Sequence, residues 1–141
     1  MNDLEKAKEN LAGHTICLCK DGKLITSDRR GIAPMMGFIA EGLDLKGYSV
    51  ADLIVGKAAA MLFAKCKIKR VFAKTLSESG KKMLALHGIE CEYGLLVDRI
   101  INRDGTDICP MEKTVANTDD IEEGYLLLKA KVESLKKGQA K

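Results

Sequence analysis

Gly56-Lys57 stands at the head of Ala58-Ala59-Ala60-Met61-Leu62-Phe63-Ala64, a segment apolar on every face and therefore read as a buried helix. The first N–H groups of such a helix lack partners inside it. Its dipole adds partial positive charge there and a lysine adds a full one, so a phosphate or carboxylate ligand fits the chemistry. The same pair also fits a plainer role, with Gly56 allowing close packing and Lys57 solvated at a helix end. A lone Gly-Lys falls far short of a full phosphate loop.

Cys109 precedes Pro110-Met111-Glu112, which reads as the first turn of a short helix. A thiol at a helix start can ionise early and act as a nucleophile, given a base or cation beside it. The neighbourhood offers Glu112 and Lys113, and a merely exposed thiol explains Cys109 equally well. Cys17 and Cys19, two apart on an expected strand, share a face and could hold a soft metal as a pair, but two ligands do not make a site and small core residues look the same. Thr75-Leu76-Ser77-Glu78 resembles a capping box opening a helix.

The elements that must position these groups follow from pattern. A helix is expected from Asp3 to Leu11, then a hairpin, Thr15–Cys19 turning at Asp21-Gly22 and returning through Leu24-Ile25-Thr26. Ser27 to Val50 reads as a Gly-rich loop, a short helix near Pro34 and a second loop; Val50–Val55 then leads into the buried helix. A strand over Arg70–Lys74, a helix to His87 stopped by Gly88, and a strand from Ile89 to Val97 come next. Asn102-Arg103-Asp104-Gly105 turns the chain. Thr118-Asp119-Asp120 caps a long helix with the stripe Ile121, Tyr125, Leu128, Val132 and Leu135, and fraying is expected from Gly138. The alternation implies one α/β domain over residues 1–141, a mixed sheet in a three-layer α-β-α arrangement.

Composition limits the function classes. At 141 residues with 46% hydrophobic and 30% charged residues, the chain is ordinary for one globular domain. A net charge of +3 and aromatic content of 4% are too weak for a nucleic-acid reading. The five cysteines, an odd number, read as reduced thiols of a cytoplasmic protein. No apolar run approaches the roughly 20 residues that cross a bilayer, so no membrane partner is expected.

Val55-Gly56-Lys57-Ala58-Ala59-Ala60 and Cys109-Pro110-Met111-Glu112, with Gly31-Ile32-Ala33-Pro34 upstream, resemble a bacterial family of uncharacterised domains with a cytidine-deaminase-like fold. Zinc deaminases open the buried helix with a His or Cys followed two residues later by Glu, and the next helix with Pro-Cys-x-x-Cys. Here those places read Gly56-Lys57-Ala58-Ala59 and Thr75-Leu76-Ser77-Glu78-Ser79. Every ligand and the proton-carrying Glu are missing, and neither His14 nor His87 has the required spacing. The resemblance implies a surviving pocket without zinc, in which Ser77 and Glu78 point near the former metal position and the loop carrying Arg29 and Gly31 folds over it, with Arg29 and Asp52 either facing that pocket or serving as plain surface charge.

Three readings result. The leading one is a binding protein with an anionic, nucleotide-like small molecule held among Arg29, Gly31, Asp52, Gly56, Lys57, Ser77, Glu78, Cys109 and Glu112, with no metal or cofactor. The second is a metal-independent enzyme with Cys109 as nucleophile and Lys57 or Glu112 assisting. The third is an interaction module acting through the C-terminal helix, in which a homo-oligomer is possible.

Overall fold

Asp21 and Gly22 both adopt positive φ, 50° and 81°, which matches the right-handed twist of flanking strands in a type I′ turn. They join β1 (Ile16–Lys20) to β2 (Lys23–Ser27), with Lys20 opposite Lys23. The hairpin belongs to a computed structural model that describes residues 1–102 and 104–139. Around it the chain forms α1 (Asp3–Glu9), α2 (Ala33–Ala40), β3 (Ser49–Val55), α3 (Lys57–Lys65), β4 (Arg70–Ser77), α4 (Glu78–Leu86), β5 (Glu90–Val97), α5 (Pro110–Val115) and α6 (Ile121–Gln139).

The strands make one five-stranded mixed sheet in the order β2-β1-β3-β4-β5. β1 is antiparallel to both neighbours, while β3, β4 and β5 run parallel, Val50 beside Val71 and Val71 beside Cys91. The sequence reading left Val50–Val55 as a lead-in to the helix. It is instead the central strand, with Ser49, Val50, Ala51, Asp52 and Val55 buried on the two faces between them, which is why it shows no polar alternation to read.

Alternation divides the core in two. Ile16, Leu18, Val50, Val71 and Ala73 face one side, where they meet Met35 of α2, α3, Met83 and Leu84 of α4, Val115 of α5 and Leu128 of α6. Cys17, Cys19 and Ala51 face the other side, covered by Ala7 of α1 and by Leu11. The three layers are therefore unequal: five helices on one face and a seven-residue helix on the other. Towards the ends of the parallel strands the phase shifts by one residue, so that Val55 and Leu76 join the larger core while Ile54 and Leu95, aligned in one row through Thr75, are exposed.

Several boundaries differ from expectation. α1 ends at Glu9, and Asn2 caps it by accepting the Glu5 N–H at 2.8 Å. β4 runs on through Ser77, so Thr75 lies in the strand and caps nothing; Ser77 is the cap of α4, its hydroxyl accepting the Gly80 N–H at 3.0 Å. Of the α6 stripe, Leu128 is buried and Ile121, Tyr125 and Val132 pack partly, but Leu135 is exposed. α6 continues through Gly138 and Gln139, where unwinding was expected, and residues 140 and 141 lie outside the described residues, as does Arg103 of the expected 102–105 turn. No helix among the described residues is long and apolar enough to cross a membrane.

Candidate functional site

The end of β3, the start of α3, the start of α4 and α5 converge on Gly56. The Lys57 N–H donates to Oε1 of Glu112 at 2.7 Å and the Ala58 N–H donates to Oε2 at 2.8 Å, so one carboxylate takes two free donors of the buried helix. This is the anion chemistry expected of a helix start, carried out by a side chain of the same molecule.

Two glycines make the convergence possible. A Cβ on Gly56 would lie 2.1 Å from Oε1 of Glu112, and one on Gly80 would lie 3.0 Å from the Gly56 carbonyl carbon and from the Val55 carbonyl oxygen. Any side chain at Gly56 would expel the carboxylate. Gly80 lets the first turn of α4 rest on the backbone that links β3 to α3.

Lys57 is only 12% exposed in its side chain. Its Nζ sits 2.9 Å from Oδ1 of Asp119 and donates to the Ala116 carbonyl at 3.4 Å. The ammonium thus ties the link between α5 and α6, where the sequence reading aimed it at an anion beside Gly56. Asp119 is well exposed, so the pair itself contributes little, roughly 1 kcal/mol or less.

Of the nine residues singled out from sequence, Gly56, Lys57 and Glu112 meet directly, and Ser77 joins them as the cap of the helix that carries Gly80. Glu78 is exposed in the first turn of α4, where it favours the helix dipole and forms no part of the expected reciprocal cap. Arg29 lies along α2, its Nη1 3.1 Å from the place a Gly37 Cβ would take. Gly31 makes the turn before α2 with φ of 61°. No hydrogen bond among the described residues brings either of them to Gly56.

Asp52 is buried on β3, in register with Ile16 of β1 and Ala73 of β4, both on the larger core's face. Burial pushes its carboxyl up to about 7, opposed by the backbone N–H groups of Leu53 and Ile54. Cys109 occupies the cap position of α5, but its side chain makes no cap bond and the helix is six residues long. Its proposed helpers are committed elsewhere, Glu112 to α3, Lys57 to Asp119 and Lys113 to Asp107. Cys17 and Cys19 are buried beneath α1, and desolvation raises both thiols.

Gly80 and Asp119 were missed in sequence. A glycine in the first turn of a helix is a readable hint of close approach, whereas Asp119 read as a helix cap and carries no mark of its long-range partner. The donor set does not fit zinc: at the start of α3 stand two amide N–H groups and the single carboxylate of Glu112, and no group of three His, Cys, Asp or Glu side chains occurs among the described residues.

A family model, TM1506, a domain of unknown function (DUF1893), matches residues 6–132. The chain belongs to the DUF1893 family. The motifs around Gly31, Gly56 and Cys109 had pointed to an uncharacterised family of this kind. A crystal structure of a DUF1893 family protein (TM1506) from Thermotoga maritima is similar to this DUF1893 chain at 28% identity, with a TM-score of 0.84, covering 92% of this chain and 90% of the other. A diaminohydroxyphosphoribosylaminopyrimidine deaminase/5-amino-6-(5-phosphoribosylamino)uracil reductase from the same organism aligns at 17% identity over 66% of this chain and 35% of its own, with a TM-score of 0.46. None of the curated proteins compared with the chain matches it.

Proposed function

We propose that this DUF1893 chain is a binding protein, not an enzyme, whose seat for an anionic, nucleotide-like small molecule is the start of α3, filled in the free chain by Glu112. The carrying observation is the carboxylate received by two consecutive amides at 2.7 and 2.8 Å. A phosphate presents the same chemistry with more charge, and it enters by displacing Glu112. Because the internal carboxylate acts at high effective concentration, the affinity of an external anion is held down while Glu112 is in place.

Thermal-shift titrations with nucleoside monophosphates and sugar phosphates on three proteins test this. Glu112→Gln is expected to lose about 1–3 kcal/mol in plain buffer and to be stabilised by the anions more than the wild type is. Adding Lys57→Ala to that variant is expected to reduce the effect. Equal, or no, stabilisation of the wild type and Glu112→Gln by every anion would reduce Glu112 to a helix cap and end the reading.

A second observation favours association. Leu127 and Leu135, about 80° apart around α6, are exposed at 40% and 41%. A second copy of the chain covering them would double the 15.4 kDa mass in light scattering, and a strict monomer at high concentration would overturn this reading.

A further inference from the structure

We infer that β5 is a seam between two copies of the chain, whose fifth strands join antiparallel about a two-fold axis beside Tyr93 into one continuous sheet. This seam is distinct from the exposed leucines of α6, a helix that lies over α3 and α5, and it does not depend on the anion seat at the start of α3.

The sheet has two edges, β2 and β5, and they are guarded differently. β2 is five residues long and opens on Lys23; a short edge with a lysine discourages further pairing. β5 has eight residues with no proline and no lysine, and its second part, Tyr93–Val97, carries no charge. Its two acids are held back on their own chain, Glu90 by Arg70 and Glu92 by Lys8, each at 3.0 Å.

Exposure agrees with an open edge. Five of the seven residues of β3 are buried, and none of β5 is. Alternate peptide groups of an edge strand point away from the sheet. Among the described residues no backbone hydrogen bond reaches β5 except those of its ladder with β4, so that row of donors and acceptors faces outward unmatched. What matches a row of that spacing is another extended backbone.

Closure makes that backbone a second β5. Joining β5 to the β2 of the next chain leaves a free edge at each end and grows into a filament, and Lys23 opposes it; joining β5 to β5 consumes both open edges and stops at two. Register points the same way. An axis at Tyr93 sets Tyr93 against its own copy, Glu92 against Gly94, Cys91 against Leu95 and Glu90 against Leu96, so no acid faces an acid. Moving the axis to Glu92 brings two copies of that carboxylate together, and moving it to Gly94 sets Glu90 opposite Asp98. Like charges directly opposite destabilise a ladder. The favoured register also covers Tyr93 and Leu95, which are 40% and 58% exposed in the single chain.

Light scattering over a concentration series of the full chain, with hydrogen exchange on the same samples, tests the seam. The mass is expected to double from 15.4 kDa, and the amides of residues 90–97 to exchange more slowly as concentration rises while those of β2 do not change. Tyr93→Glu places two carboxylates at the axis and leaves each near its own Lys81, so it should keep the folded spectrum and weaken association roughly tenfold or more. Leu135→Lys should leave the protection of β5 unchanged, which separates this seam from association through α6. A chain that stays monomeric throughout, a dimer whose β5 amides gain no protection, or β5 protection that survives Tyr93→Glu would overturn the inference.

Discussion

Asp52 is a carboxyl group that the fold keeps from water without giving it a cation. An unfolded Asp titrates near 3.8 and the folded one at about 7, so the native state binds the extra proton and stability falls as pH rises between those values. Below 3.8 both states are protonated and there is no penalty; above 7 the cost is complete, up to roughly 4 kcal/mol. Asp52→Asn should therefore raise Tm at pH 8 and flatten the slope between pH 4 and 7 in a series of melts. A variant with the wild-type slope would show that other groups set it. Gly56→Ala tests the neighbouring geometry: its methyl group would drive out the Glu112 carboxylate, and a loss of at least about 2 kcal/mol is expected in denaturant unfolding. Gly56, Lys57 and Glu112 were each visible in sequence as residues suited to anion chemistry, Glu112 as one more residue of a ligand pocket. That Glu112 is itself the anion was hidden, because nothing local to residue 112 marks a partner 55 positions earlier.

At the scale of elements, the hairpin, α2, α3, α4 and α5 were legible because caps, turn residues and apolar runs mark them locally. β3 was not, since a strand buried on both faces has no period to distinguish it from the start of a buried helix. The length of β4 was misjudged because the Thr75 signature is satisfied two residues later by Ser77. How α6 sits on α3 was also unreadable. A Cβ on Gly124 would lie 2.6 Å from Cε of Met61, which is fully buried. Gly124→Ala gains about 1 kcal/mol of helix propensity but overfills the contact by about 1–3 kcal/mol, so net destabilisation is expected. Met61→Ala in the same chain should make the effects non-additive, with the double variant more stable than the sum of the singles in urea melts; strict additivity would place the strain elsewhere.

For the whole molecule, the unequal layers set where it opens. The smaller core holds a seven-residue helix against one face, so α1 is expected to detach before the five helices opposite. Cys17 and Cys19 lie beneath it and serve as reporters. Under native conditions Cys109 should be alkylated first and these two slowly, and Leu4→Ala should speed their labelling more than it lowers global stability; equal rates for all the cysteines would contradict a layered opening. The fold class could be read from the chain, whereas the imbalance between layers depends on which helix lies over which face. The reach of Glu112 back to α3 carries over to synthesis on the ribosome. At about 5–20 residues per second, several seconds separate the making of Lys57 from that of Glu112. Throughout that interval two amides of the central helix wait for their carboxylate, and a chaperone or a passing anion has that long to serve in its place.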